Sequence, residues 1–291
     1  MIIIFNNIER KIMMKILSKL VKSAVTLLSL ITLTKTTIPI VATPTTIQAK
    51  KAKKKHYVTA KNKYQFKFGY AYTYNKKKHC YIGHKMSKKE RQQFNMPKEQ
   101  KIQKAKSNYD VPKISKFTDN VLNKYNLLDQ RWAKLTIKYN DDNLSSKQQK
   151  IVEDAINQIN NLNIVKLIKT NKANAKLTFV LKDKNNGRDL LGNADTEDTG
   201  QPYHGLFISK TSKITFFTNE LNKPTVTNYA LTLNNLTIHE IGHALGLDHN
   251  LEDKSAIMYP TLYIKNIKTI DSTHTAIDQD YINRLALLYQ N

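Results

Sequence analysis

The chain has 291 residues, with 47 Lys or Arg against 23 Asp or Glu, which gives a formal net charge of +24. That length can bury a sizeable core in one or two domains, and the presence of only one cysteine excludes an intramolecular disulfide. The charge is uneven, because residues 1–60 carry +10, residues 61–128 carry +13 and residues 129–291 carry only +1, as an ordinary folded domain would.

Residues 1–49 have the order of a secretory signal peptide. Basic residues from Arg10 to Lys22 precede an uncharged run at 23–34, and small residues follow up to Ala49, the expected cleavage position. About twelve apolar residues are too few to cross a ~30 Å hydrocarbon core. The alternative is an uncleaved membrane anchor, because a second apolar segment follows the first. We expect a secreted protein, extracellular or associated with the cell wall, with no stable membrane span after signal cleavage.

Residues 50–128 are predicted to form a basic region before the main domain. Segment 64–84 alternates aromatic and polar residues with a period of two, as a short hairpin does, whereas 85–128 lacks a clear period and looks like a connector. Cationic strands with tyrosines suit anionic cell-wall polymers, and a propeptide or solvated linker explains the same residues. Export argues against nucleic-acid binding. Cys80 is interpreted as an unpaired thiol.

The remaining residues, 129–291, predict a compact α+β domain. Ser145 and Gln148 form a capping-box pattern that opens a helix. The predicted elements are, in order, a strand at 132–139, an amphipathic helix at 146–160, a strand at 177–181, an acidic turn-forming segment at 189–200, and one or two strands at 208–217.

The acidic segment is a candidate calcium site. Asp189, Asp195, Glu197 and Asp198 offer the hard oxygen ligands that Ca²⁺ prefers. A solvated acidic loop is the alternative, because no complete calcium-loop pattern is present.

The stretch HEIGHALGLDH at 239–249 has the spacing of a catalytic zinc site. His239 and His243 are four residues apart, so on a helix both rings reach one ion from the same face. Gly246 can take the left-handed conformation that ends a helix, which lets His249 return to the ion. Three protein ligands leave a position for water, and Glu240 is placed to act as its base. A single histidine is usually a core residue, but that does not explain three at these spacings.

These residues match HExxHxxGxxH, the signature of the metzincin zinc endopeptidases. The segment SAIMYP at 255–260 resembles the methionine turn of one metzincin group, the matrixins, and residues 277–289 resemble their terminal helix with Asp278 as its cap. Met258 would then form the hydrophobic base beneath the zinc, although a methionine alone would be interpreted as core filler.

The high Lys, Asn and Ile content of the chain suggests that it comes from a Gram-positive bacterium.

The resemblance covers about residues 129–291 and implies a metzincin-type zincin domain, with a twisted, mostly parallel β-sheet, an active-site helix and a C-terminal helix. It implies one catalytic Zn²⁺ on His239, His243 and His249, Glu240 as general base, and a protein or peptide substrate. Strand 208–217 would be the edge that receives the substrate backbone.

Two features depart from the matrixin pattern. The aromatic residue after Pro260 stands one place late, which affects the predicted pocket of Tyr259, Pro260 and Tyr263. Cys80 lacks the sequence context of the matrixin latency cysteine, so capping of the zinc by Cys80 is only the alternative to an unpaired thiol. The function predicted is that of a secreted zinc endopeptidase. The alternative is a secreted wall-binding protein whose zinc domain is structural or inactive.

Overall fold

The computed structural model describes residues 55–96, 98–106, 109–183, 190–260 and 277–291. The chain divides into two units, Met1–Lys53 and Lys54–Asn291, and every described residue belongs to the second. The predicted signal peptide, Asp189 and Tyr263 lie outside the described residues. Within the described part, no helix has both the length and the apolar character needed to cross a membrane.

The first folded part is a small antiparallel sheet. It consists of β1 (Tyr57–Ala60), β2 (Tyr70–Asn75) and β3 (Cys80–Lys85), in the order β1-β3-β2. The predicted hairpin is confirmed as β2 and β3, which pair from Tyr70 opposite Lys85 to Asn75 opposite Cys80. A helix, α1 (Lys88–Gln93), follows, and a capping box of Ser87 and Glu90 opens it.

The segment predicted as a connector is instead attached along the main domain. We call its residues 98–106 and 109–118 the strap. Backbone N–H groups of the strap donate to carbonyls of the domain, from Gln103 to Ala133 at 2.7 Å, from Ala105 to Tyr289 at 2.9 Å and from Phe117 to His204 at 2.7 Å. Phe117 is 1% exposed. A short helix, α2 (Asp119–Lys124), completes this segment. The sequence of the strap has no hydrophobic period that would predict its attachment, because the strap is held by backbone hydrogen bonds to residues distant in sequence.

The main sheet has six strands and is mostly parallel, which confirms the predicted fold class. From β9, the strands β7, β5 and β6 follow in that order with parallel pairing. β4 pairs parallel with the start of β9 on the same side as β7, and β8 pairs antiparallel with the other side of β9. The strands are β4 (Gln130–Arg131), β5 (Thr136–Asn140), β6 (Lys166–Lys169), β7 (Leu177–Lys182), β8 (Gly192–Tyr203) and β9 (Leu206–Phe217).

Two strand predictions were wrong in extent or kind. The strand predicted from Trp132 begins only at Thr136, because Ala133 bonds the strap and the Trp132 ring nitrogen donates to Ala244 O at 2.8 Å. Residues 192–200 of the acidic segment predicted as a turn belong to the twelve-residue β8. Its pairing with β9 provides hydrogen bonds along one edge of the strand, so tertiary contact overrides the weak strand propensity of Asp, Asn and Gly.

Helices cover and flank this sheet. The predicted capping box on α3 is confirmed, and the helix buries Val152, Ala155, Ile156 and Ile159 as its spacing indicates. α3 and α5 pack against each other, and α5 also contacts β8 and β9. The helices of this domain are α3 (Ser146–Asn161), the four-residue α4 (Thr218–Leu221), α5 (Tyr229–Leu245) and α6 (Gln279–Gln290).

Candidate metal centre

Helix α5 carries the first two histidines of the motif. Asn228 caps its start by accepting the Leu231 N–H at 3.1 Å. The predicted end is confirmed, because Gly246 has a left-handed φ of 105°. A Cβ at this position would lie 2.3 Å from the Gln130 carbonyl oxygen, so only glycine fits. The chain therefore reverses directly after α5, and the following loop carries His249.

The structure brings the three histidines together. The Nε2 atom of His243 lies 3.1 Å from Nε2 of His239 and 3.1 Å from Nε2 of His249. Among the described residues, these three form the one group of three or more His, Cys, Asp or Glu residues whose ligand atoms all lie within 4.8 Å of one another.

The other ring nitrogens fix the tautomers of two of these rings. Nδ1 of His239 donates to Ile257 O at 2.7 Å, and Nδ1 of His243 donates to Leu247 O at 2.9 Å. Each Nδ1 therefore carries the proton, and each Nε2 presents a lone pair. Two lone pairs facing each other at 3.1 Å cannot form a hydrogen bond.

A metal cation fits this arrangement. Nitrogens bound to a tetrahedral zinc at ~2.0–2.1 Å lie about 3.3 Å apart, close to the spacing of the Nε2 atoms. Burial lowers the pKa of His239 to about 4, and it also lowers the pKa of His243 and of His249. The three rings are therefore neutral at physiological pH, which is the form that binds a metal.

The turn beneath the site is tied to the last helix. Ile257, whose carbonyl holds the His239 ring, donates its own N–H to Asp278 Oδ2 at 2.7 Å, and Asp278 Oδ1 caps α6 through the Tyr281 N–H at 2.8 Å. Met258 is fully buried, and a Cβ added to Gly242 would lie 2.6 Å from its sulfur. The sequence identified Asp278 only as a cap, because its second role depends on the two segments meeting.

Arg284 is a second residue that the sequence did not single out. It is 4% exposed on α6, and its Nη1 donates to Asp248 O and to Asn126 O, both at 2.9 Å. Its Nη2 lies 2.6 Å from Asp280 Oδ2. The guanidinium thus fixes the backbone next to His249. Its place among apolar positions of α6 was the one signal available in the sequence.

Glu240 lies beside β8 and is 4% exposed. A Cβ on Gly192 would come within 3.0 Å of its Oε1, and the Ala194 N–H hydrogen-bonds its carboxyl group. Oε2 is buried and has no hydrogen-bond partner among the described protein atoms. Burial, with a smaller contribution from Asp195, raises the pKa of this carboxyl to about 8. A buried oxygen without a partner is costly, and proteins retain such groups at reactive sites.

Other predicted residues lie apart from this centre or at its margin. Tyr259 is half-buried and Pro260 is buried directly after Met258, where the described segment ends. Asp195, Glu197 and Asp198 lie on β8 and form no ligand group by the criterion that the histidines meet, so calcium stays a prediction. Cys80 lies on β3 and is not part of the histidine group.

The predicted substrate edge was wrong. Strand β9 pairs with β7 on one side and with β8 on the other, so it has no free edge beside Glu240. Among the described strands, none pairs with the second edge of β8, and Gly192 and Ala194 of this strand adjoin the Glu240 carboxyl. The sequence could not show this, because it did not identify β8 as a strand.

Comparison with known proteins agrees with the motif. A family model described as Matrixin matches residues 131–290, which is more than half of the chain. No curated protein matches the chain.

Proposed function

Because the chain belongs to the matrixin family, we propose that it is a zinc-dependent endopeptidase that hydrolyses peptide bonds in proteins. One observation carries the proposal: three neutral imidazoles bring their Nε2 atoms together, and Glu240, the residue after His239 on α5, has a buried carboxyl with one oxygen without a hydrogen-bond partner among the described atoms. A purely structural zinc site has no use for that carboxyl.

His239, His243 and His249 would hold the ion. When bound there, Zn²⁺ supplies Lewis-acid polarisation of a carbonyl and makes water a stronger nucleophile at neutral pH. The chain orients this centre through Ile257 O and Leu247 O, each of which accepts from a ring Nδ1. Loss of a hydrogen bond that orients a metal-binding histidine typically lowers metal affinity by about 10- to 100-fold.

Glu240 performs the proton transfers in this proposal. A positive charge nearby lowers the pKa of a carboxyl, so a cation on the histidines favours ionised Glu240, which can accept a proton from the attacking water. The same oxygen then gives that proton to the leaving amine. The Ala194 N–H holds the carboxyl in place during both transfers.

The free edge of β8 would bind the substrate backbone. An extended peptide can add to such an edge as a further strand, with main-chain hydrogen bonds for affinity and side-chain pockets for specificity. This places a peptide bond of the substrate next to Glu240, because the edge passes that carboxyl at Gly192 and Ala194. Tyr259 and Pro260 would contribute to the neighbouring pocket.

Glu240→Ala tests the proposal. The variant should retain zinc and fold, since Glu240 is not a ligand, and should lose casein cleavage by about 10²- to 10⁴-fold. Glu252→Ala, at an exposed position three residues after His249, is the matched control and should cleave normally. Zinc is measured by mass spectrometry of the purified protein. A Glu240→Ala protein that cleaves casein at the wild-type rate would refute the mechanism.

We further propose that the peptidase acts outside the cell. The support is the order of charged, apolar and small residues before Ala49. Mass spectrometry of the culture medium should find a mature N-terminus at Lys50. Detection of the intact chain in the membrane fraction instead would favour the uncleaved anchor.

A further inference from the structure

The small N-terminal sheet is strongly basic. Residues 55–96, which we call the basic module, contain 11 Lys or Arg and one acidic residue, Glu90, so their net charge is +10. Glu90 is already paired, because Lys55 Nζ lies 2.6 Å and His84 Nε2 lies 3.1 Å from its Oε1. The other cationic groups of the module therefore face no acidic residue within it.

One face of the module also carries tyrosines. Tyr72 and Tyr74 on β2 point to the same side as Tyr81 on β3, because Tyr74 is paired with Tyr81. Tyr72 is 38% exposed and Tyr74 is 50% exposed. Exposed lysines at 76–78 form the hairpin turn directly after this face, and Asn75 fixes that turn by accepting the Lys78 N–H at 3.0 Å.

The ring contacts decide what this face can bind. Tyr72 stacks on Phe66 with centroids 5.2 Å apart and an interplanar angle of 7°, so one of its faces is covered. Tyr74 and Tyr81 meet at 61° with centroids 5.1 Å apart. Nucleobases need free ring faces for stacking, whereas tyrosine edges and hydroxyl groups suit the hydroxyl groups of polyols and sugars.

We propose that the basic module is a docking surface for an anionic polymer in which phosphate groups alternate with polyols or sugars. Lysine ammonium groups are compact charges suited to phosphate, and the turn at 76–78 carries three of them directly after the strand that bears Tyr72 and Tyr74. A regular series of phosphates matches a surface with net charge +10, and both gain by releasing their counterions.

The module stays attached to the peptidase in this proposal. Gln100 N donates to Gln201 Oε1 at 2.7 Å, and Gln201 Nε2 donates back to Gln100 O at 2.9 Å. Lys63 Nζ lies 4.7 Å from the centre of the Phe207 ring. Both contacts are at the hairpin end of β8 and β9, whereas Glu240 lies beside Gly192 at the other end.

The distance between the two ends lets polymer and substrate bind together. The two ends are separated by the β9 segment from Leu206, opposite Tyr203, to Ile214, opposite Ala194, which spans about 26 Å. A bound polymer would therefore hold the peptidase on a surface without covering its catalytic centre. The proposal concerns binding alone and does not depend on the proposed peptidase activity.

The test measures binding of the full chain to immobilised poly(glycerol phosphate). Lys76→Gln/Lys77→Gln/Lys78→Gln should weaken binding about tenfold or more at ~50 mM salt and reduce its salt dependence. Lys147→Gln/Lys150→Gln/Lys166→Gln removes the same charge from exposed positions of the main domain and should change binding less than about twofold. Tyr74→Ala should weaken binding at both low and high salt.

Several results would overturn the proposal. One is equal loss in the two triple variants, which would show that only total charge matters. Another is tighter binding to double-stranded DNA of equal charge, which would indicate a nucleic-acid surface. Binding confined to anionic lipid vesicles would indicate a membrane surface, and equal binding to polyglutamate would show that phosphate is not recognised. Circular dichroism checks that each variant is folded.

Discussion

The two ends of the β8 and β9 pair each bury an ionisable side chain, but they differ in how far its hydrogen bonds are satisfied. At the hairpin end, the Arg131 guanidinium is fully buried and bonds to four carbonyls, those of Gln103, Trp132, Leu288 and Asn291, at 2.6 to 3.2 Å. At the other end, Glu240 keeps one buried oxygen without a bonding partner among the described atoms.

This difference indicates that the residue at one end stabilises the fold, whereas the residue at the other end is available for a reaction. A buried charge whose nitrogens all have hydrogen-bond partners holds segments together, and Arg131 joins the strap, β4 and the end of α6. A buried group with an unsatisfied atom destabilises the fold and remains available to a ligand or a proton. We therefore expect changes at Arg131 to affect unfolding, and changes near Glu240 to affect activity.

The largest effect is expected at the catalytic end. His243 lies between the other two histidines, 3.1 Å from each. His243→Ala should lose bound zinc and reduce kcat/KM for casein by about 10³-fold or more, because two imidazoles cannot hold the ion in its catalytic geometry. His56→Ala, at an exposed histidine of the basic module, is the control. Stoichiometric zinc in the His243→Ala protein would contradict the assignment.

At the hairpin end, Arg131→Met should lower the free energy of unfolding by about 3–5 kcal/mol, because it leaves buried carbonyls without donors. Arg131→Lys keeps a charge but not the fork of donors, so its loss should be smaller. Urea unfolding measures both. The folded fraction should retain the zinc content and kcat/KM of the wild type. A fall in either would show that the two ends are not separate.

Gly246 links the two ends of the comparison. It lies between the zinc-binding residues His243 and His249, and its backbone packs against Gln130, the neighbour of Arg131 in β4. Gly246→Ala should cost about 2–3 kcal/mol from left-handed strain and the approach to the Gln130 carbonyl oxygen. Gly200→Ala is a close control, since Gly200 has φ of 71° and nothing lies within 4 Å of an added Cβ. If the two variants unfold at the same urea concentration, the contact with Gln130 contributes nothing.

The smallest effect is expected between the ends, where Glu197 Oε2 lies 3.3 Å from Lys210 Nζ. Both side chains are mostly exposed, at 72% and 59%, so Glu197→Gln should change the free energy of unfolding by less than about 0.5 kcal/mol. The same variant addresses calcium. If added Ca²⁺ raises the melting temperature of the wild type but not of Glu197→Gln, Glu197 belongs to a calcium site rather than to a simple surface pair.

Local patterns in the sequence predicted several elements correctly. The capping box at Ser145, the apolar spacing of α3, the glycine that ends α5 and the cap at Asp278 all depend on residues within one or two turns of each other. Strand β8 was missed for the opposite reason. Its acidic residues indicate a turn locally, and only β9, which lies after it in the chain, makes it a strand.

The sequence by itself determined the histidine spacing, the reversal at Gly246 and the base next to His239, because helix geometry and glycine conformation act over a few residues. The tertiary structure alone decided which strand has the free edge, which carbonyls orient the rings, and that the strap belongs to the peptidase domain. Those features depend on hydrogen bonds between segments far apart in the chain, such as Ile257 to Asp278 and Arg131 to Gln103. A local sequence pattern cannot predict these hydrogen-bond partners, because a polar group can bond to any complementary group that the fold brings near it.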